Sequence, residues 1–113
     1  MEEQRKQGRI PCDIILNKVE DGHTNVCRAM DLSLGGMRLR RVAESHRADG
    51  ESVQLQFALP GESDPIWVAG QKVYDADGSV GVRFTNISHH HFVRLRHWLR
   101  EKVIDETLPE FST

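Results

Sequence analysis

Two arginines near the start of the chain, Arg5 and Arg9, are the first residues whose type and spacing could bind a charged ligand. Spaced as R-x-x-x-R, their guanidinium groups could clamp phosphates with paired hydrogen bonds, reach the O6 and N7 acceptors of guanine, or stack on its face. The spacing alone is not specific, because 11 arginines in 113 residues predict about one such pair by chance. A second pair, Arg96 and Arg100, does occur, and we interpret it as the charged outer face of a helix.

A more specific pattern, D-x-S-x-x-G, runs from Asp31 to Gly36. About 0.05 matches to the general form, with Asp or Asn in the first position, are expected by chance in a chain of this composition. The Asp31 carboxylate complements N–H donors of a guanine edge, and the Ser33 hydroxyl can donate or accept a hydrogen bond. Gly35 and Gly36 would let a bulky ligand approach the backbone. An ordinary turn between strands explains the same residues, but together with the arginines they suit a guanine nucleotide with phosphates.

Alternating apolar residues predict that most of the chain forms strands. The clearest run covers residues 53–59 and ends at Pro60-Gly61, and five similar runs lie within residues 10–85. From residue 88 the apolar spacing changes to three or four, which predicts an amphipathic helix over 88–106 with Ser88 as its N-cap, followed by a loose tail over 108–113. Six short strands and one helix predict a small antiparallel barrel or sandwich with a helix packed on it.

A predicted hairpin brings the two groups of candidate residues together. If Asp21-Gly22 is a two-residue turn, residues that face each other on the flanking strands have numbers that add up to 43. Residue 12 then opposes Asp31, and Arg9 lies beside Leu34. We therefore expect the arginine pair and the D-x-S-x-x-G turn to meet at the same end of the hairpin. The same register places the two cysteines of the chain about four rungs apart, which disfavours a disulfide.

The composition excludes several classes of protein. Hydrophobic residues make up 38% and charged residues 28%, as in an ordinary globular domain, and the net charge of −2 argues against a general binder of nucleic acid or membrane surfaces. The polar N-terminus lacks a secretory signal, and no apolar run is long enough to enter and span a bilayer. We expect a reduced, cytoplasmic protein of one domain, residues 1–113.

Neither a catalytic nor a metal site is predicted. The three histidines His89 to His91 have no cysteine or carboxylate at a ligand spacing, so a solvated helix start explains them. Cys12 and His23 lack a third group that would orient them as nucleophile and base. We therefore expect a protein that is not an enzyme and that holds no cofactor.

The two motifs together resemble those of the PilZ domain family of bacterial cyclic di-GMP receptors. Val80-Gly81-Val82-Arg83-Phe84 is similar to the glycine-bearing final strand of that family, and the resemblance covers roughly residues 4–104. It implies a mainly β fold, a six-stranded antiparallel barrel over residues 10–85 with the C-terminal helix after it.

The resemblance also implies roles for individual residues. Arg5 and Arg9 would clamp the phosphates and guanines of cyclic di-GMP, Asp31 and Ser33 would bond a guanine, and Gly36, with Gly35 beside it, would let the ligand lie against the backbone. Tyr74, seven residues before Gly81, resembles a strand position where some members place a ligand-contacting aromatic residue, although plain barrel packing explains it equally well.

These observations predict a stand-alone, non-catalytic receptor that binds cyclic di-GMP and relays its level to an effector protein that the sequence does not identify. Residues 1–9 contain one apolar residue, Met1, so we expect this clamping segment to be mobile until phosphate contacts order it. One alternative is a PilZ-like adaptor that acts by protein contact with weak or no ligand binding. The other is a small-barrel binder of single-stranded nucleic acid, which the aromatic content of only 6% disfavours.

Overall fold

Six strands form a closed antiparallel barrel in the computed structural model, which describes residues 8–43 and 50–111. The strands are β1 (Ile10–Glu20), β2 (His23–Leu32), β3 (Gly36–Ala43), β4 (Ser52–Ala58), β5 (Pro65–Ala76) and β6 (Ser79–Ile87), and the helix α1 (His89–Phe111) follows them. The order around the barrel is β1-β2-β3-β6-β5-β4, and β4 closes it on β1. The predicted six-stranded antiparallel barrel with a C-terminal helix is confirmed. Arg5 and residues 1–7 of the expected mobile segment lie outside the described residues.

Two tight turns shape the hairpins. Asp21 and Gly22 join β1 to β2 with φ of 51° and 79°, and Asp77 and Gly78 join β5 to β6 with φ of 55° and 79°. Positive φ at both central residues is what a type I′ turn requires, and its twist matches that of the flanking strands. At the second turn β5 continues to Ala76, because two residues are enough to reverse the chain.

The core lies inside the barrel, where alternate residues of every strand point inward. On the helix, Leu95, Trp98 and Leu99 join this core and cover it near the start of β1, where Trp98 lines a cleft with Ile10 and Pro60. The buried apolar residues of the strands and their ends are Ile10, Ile14, Leu16, Cys27, Ala29, Leu32, Met37, Leu39, Val53, Leu55, Phe57, Leu59, Ile66, Val68, Val80 and Val82.

The helix begins as predicted. The Ser88 hydroxyl accepts a hydrogen bond from the His91 N–H at 3.2 Å, so Ser88 is the N-cap. The helix ends later than predicted, at Phe111, and so includes residues expected to form a loose tail. Along the part of the chain that the structure describes, no helix is long and apolar enough to cross a membrane.

Charged residues also lie inside the barrel, away from the helix. Lys18 and Glu20 of β1 are buried, with Lys18 Nζ 2.5 Å from Glu20 Oε1 and Lys72 Nζ of β5 2.6 Å from Glu20 Oε2. Asp75 of β5 forms an ion pair with Arg41 of β3 and lies 4.0 Å from Lys72. We call these five residues the interior ion cluster. Sequence reasoning did not find it, because the partners from β3 and β5 are brought to β1 only when the barrel closes.

Candidate functional site

A β-bulge places Asp31 on the outer surface of the barrel. The inward residues of β2 alternate up to Ala29, and the next one is Leu32, three positions later. Met30 is the extra residue, because Ala29 and Asp31 pair with consecutive residues of β3. Without this bulge, strict alternation would turn Asp31 into the apolar core. With it, the carboxylate points outward, and the Asp31 side chain is 14% exposed.

The β1–β2 register differs slightly from the predicted one. From Ile14↔Ala29 to the turn, paired positions sum to 43 as predicted, but a bulge between Pro11 and Ile14 shifts the end of the ladder by one residue. Pro11 therefore opposes Asp31, where the sequence predicts residue 12. The predicted proximity holds for the arginine that the structure describes, since Arg9 Nη1 lies 3.8 Å from Asp31 Oδ2.

A second arginine lies even closer to the Asp31 carboxylate. Arg38 of β3 is the direct cross-strand partner of Asp31, and its Nε is 3.2 Å from Asp31 Oδ2. Sequence reasoning did not single out Arg38. A predicted register for the β2–β3 hairpin, had one been derived, would have revealed the contact.

Ser33 closes the β2–β3 turn. Its hydroxyl accepts hydrogen bonds from the N–H groups of Gly35 and Gly36, and it donates one to the carbonyl oxygen of Gly36, all at 3.2 Å. The Ser33 N–H donates to the same carbonyl at 2.9 Å. The hydroxyl thus uses its single donor and both acceptor positions within the turn, which stabilises the turn.

The two glycines of the turn have different surroundings. A Cβ on Gly36 would lie 2.3 Å from the carbonyl oxygen of Val82, so β3 and β6 approach each other too closely there for any side chain. A Cβ on Gly35 would meet nothing within 4 Å. Gly36 is therefore required for the barrel itself, whereas Gly35 leaves open space on the surface.

Tyr74 lies in the same row of residues across the sheet as Asp31, but farther away. The row runs from Asp31 to Arg38, then to Gly81 of β6 and to Tyr74 of β5. A Cβ on Gly81 would lie 2.1 Å from the Tyr74 ring, so the ring covers this glycine while the side chain stays exposed. Three strand spacings separate Tyr74 from Asp31, about 14 Å.

Cys12 lies beside this site as a half-buried thiol. Burial, followed by the negative charges of Asp31 and Asp13, raises the pKa of Cys12 to about 11, so the thiol is protonated at neutral pH. Cys12 and Cys27 are both reduced thiols, in agreement with the register argument against a disulfide. A protonated thiol is a poor nucleophile.

The histidines at the start of α1 make ordinary structural contacts. The His91 Nδ1 accepts a hydrogen bond from the Trp67 N–H at 3.2 Å, which ties the helix to β5. Among the described residues, no three His, Cys, Asp or Glu side chains are grouped so that they could hold a metal ion.

Comparison with known proteins agrees with this architecture. The sequence model of the PilZ domain matches residues 3–101, most of the chain, and the chain belongs to the PilZ domain family. No curated protein sequence matches it significantly.

Three solved structures have a similar fold at low sequence identity. The PilZ domain of CeSA from a cellulose-synthesizing bacterium has a TM-score of 0.64 and 17% identity, over 82% of this chain and 95% of that one. The PilZ domain with c-di-GMP of YcgR from Escherichia coli has a TM-score of 0.60 and 18% identity, over 93% and 95%. The inhibitor of motility MotI/DgrA of Bacillus subtilis has a TM-score of 0.70 and 14% identity, over 88% of this chain and 51% of that one.

Proposed function

We propose that this domain is a non-catalytic cytoplasmic receptor for cyclic di-GMP, which it binds at the end of the barrel where β1 begins and β2 turns into β3. The observation that supports this most directly is the proximity of Arg9 to Asp31, 3.8 Å apart at a turn already closed by Ser33. Membership of the PilZ family and the similar fold of the YcgR domain with c-di-GMP support the choice of ligand.

Each residue of the site has a proposed role in binding. Arg9, together with Arg5, clamps the phosphates and contacts the guanines. Asp31 accepts N–H donors of one guanine edge, and Ser33 bonds the same base after exchanging its hydrogen bond to the Gly36 carbonyl. Binding adds negative phosphates to an arginine-bearing face of the barrel, and an effector protein that contacts this face reads the change. The contact of Tyr74 with the ligand remains a prediction.

The two R-x-x-x-R pairs provide a test with an internal control. Arg5→Ala, Arg9→Ala and Asp31→Ala should each weaken cyclic di-GMP binding by about 30- to 1,000-fold, or about 2–4 kcal/mol, because each removes a charge-assisted contact in a partly desolvated site. The double variant Arg96→Ala/Arg100→Ala should change affinity less than about threefold, since both side chains are exposed on α1 and salt screens them beyond about 10 Å.

The measurement is calorimetric titration at one salt concentration, with circular dichroism to show that each variant is folded. GTP and a short single-stranded RNA serve as competing ligands for the wild-type protein. Tight binding of RNA without binding of cyclic di-GMP would refute the proposal, as would equal damage from the helix pair and the N-terminal pair.

A further inference from the structure

The carboxylate at the centre of the proposed site has its nearer counter-ion outside both motifs. Arg38 Nε lies 3.2 Å from Asp31 Oδ2, whereas Arg9 Nη1 lies 3.8 Å from the same oxygen. Arg38 lies inside β3, where it pairs with Asp31 of β2 on one side and with Gly81 of β6 on the other. Its backbone is therefore held by two neighbouring strands, while Arg9 precedes β1.

The two arginines leave part of the carboxylate available to a ligand. Both approach Oδ2 of Asp31, and a carboxylate offers about four lone-pair sites over its two oxygens. Oδ1 can therefore accept an N–H donor of guanine while Oδ2 keeps its contact with Arg38. The contact between Arg38 Nε and Asp31 Oδ2 also restricts the orientations that the Asp31 side chain can adopt.

The contact between Arg38 and Asp31 becomes more important to the carboxylate when the ligand is bound. In the proposed complex, Arg9 turns to the phosphates, and the ligand covers a carboxylate whose side chain is already only 14% exposed. A carboxylate that loses both water and its cation pays a large desolvation cost, and nearby phosphates add repulsion. Arg38, whose side chain is 46% exposed on the adjoining strand, can remain in place as the counter-ion.

We propose that Arg38 is a positioning residue of the cyclic di-GMP site, which holds the Asp31 carboxylate in place and oriented toward the guanine edge. This inference rests on the proposed function and extends it to a residue that neither motif includes. Arg38 acts through Asp31, so its effect on binding depends on the presence of that carboxylate.

Arg40 is a matched control on the same strand. It lies two residues after Arg38, so it shares the outward face of β3, and it is also exposed. Its cross-strand partners are Arg28 and Ser79, so no carboxylate lies opposite it. If diffuse electrostatic attraction alone held the ligand, loss of Arg38 and loss of Arg40 would lower the affinity equally.

The experiment is a titration of cyclic di-GMP into five variants, each checked for folding by thermal melting. Arg38→Ala should weaken binding about tenfold, Arg38→Lys should recover part of that loss, and Arg40→Ala should stay within about twofold. In the Asp31→Ala background, adding Arg38→Ala should cost less than about threefold, because the carboxylate through which it acts is gone.

A second ligand separates positioning from a general structural effect. A cyclic dinucleotide with hypoxanthine bases lacks the 2-amino donor of guanine, so Arg38→Ala should weaken its binding less than that of cyclic di-GMP. The inference is overturned if Arg40→Ala is as damaging as Arg38→Ala, if Arg38→Ala tightens binding, or if its loss is unchanged in the Asp31→Ala background. If the wild-type protein does not bind cyclic di-GMP, the proposed function fails and this inference fails with it.

Discussion

Asp31 and Glu20 are two carboxylates, each flanked by two cations, yet their surroundings suit them to different tasks. Glu20 is 2% exposed between Lys18 and Lys72, so no ligand reaches it and its charge stabilises the barrel. Asp31 lies on the outer surface, where Arg9 and Arg38 neutralise it without enclosing it. Burial, rather than residue type, separates the structural carboxylate from the one proposed to bind a ligand.

Glu20→Gln should destabilise the protein far more than Glu62→Gln does. The first change leaves two lysines in the barrel without the carboxylate between them, with an expected loss of about 3–5 kcal/mol. Glu62 pairs with Arg94 at 2.7 Å at the surface, and its replacement should cost less than about 1 kcal/mol. Urea unfolding followed by circular dichroism measures both. Equal losses would contradict the structural role of the interior ion cluster.

At the level of elements, hydrogen bonds hold the β2–β3 turn in one conformation and tie it to β6. The Ser33 hydroxyl binds three backbone groups within the turn, and the Phe84 N–H of β6 donates to the Gly35 carbonyl at 2.8 Å. The bulge at Met30 of β2 then turns the Asp31 carboxylate outward, and the bulge in β1 lies next to it on the neighbouring strand. The turn and the two bulges together present the proposed ligand groups on a rigid edge of the barrel.

Substitution of the neighbouring glycines tests which of them the barrel needs. Gly36→Ala should destabilise the fold by about 2–3 kcal/mol, because the new Cβ would lie 2.3 Å from the Val82 carbonyl and force β3 away from β6. Gly35→Ala should change stability by less than about 1 kcal/mol, since its Cβ meets nothing within 4 Å. Thermal melting of both variants decides this. A drop in melting temperature for Gly35→Ala as large as that for Gly36→Ala would show that the turn, and not strand approach, limits stability.

At the level of the whole molecule, the interior ion cluster joins strands that are not neighbours in the barrel. Its members come from β1, β3 and β5, and each of these strands is separated from the other two by an intervening strand. The ladder that closes the barrel, between β1 and β4, contains only the three register pairs from Asn17↔Gln56 to Val19↔Gln54. Contacts through the interior therefore supplement a short closing ladder.

The stability of the barrel should fall in acid. Burial raises the pKa of Glu20, but the ammonium groups of Lys18 and Lys72 lower it more strongly, so the pKa lies below its ordinary value of 4.5. The unfolded chain then takes up this proton more readily than the folded one. The contribution of Glu20 is complete above pH 4.5 and is lost as the pH falls through the lowered pKa.

Urea titrations between pH 7 and pH 3 measure this loss. The difference in unfolding free energy between the wild type and Glu20→Gln should shrink as the pH falls below 4.5, because glutamine does not titrate. A difference that stays constant down to pH 3 would show that Glu20 does not titrate with a lowered pKa.

The features that the sequence by itself determined are those with local causes. Alternating apolar residues are sufficient to predict six strands, the change of spacing at residue 88 predicts the helix, and Asp21-Gly22 predicts a turn because few other residues adopt positive φ. The hairpin register then brings Arg9 to Asp31 even though it is wrong by one residue at its end. A shift of one residue does not separate the two side chains, because both remain at the same end of the hairpin.

The tertiary structure alone decided which side chains meet across strands distant in sequence. The bulge at Met30 turns Asp31 outward because closing the barrel requires Leu32, not Asp31, to fill the core. Gly36 is required by the approach of β6, which lies more than forty residues later in the chain. Such contacts depend on the register and curvature of the whole barrel, which periodicity and turn chemistry do not encode.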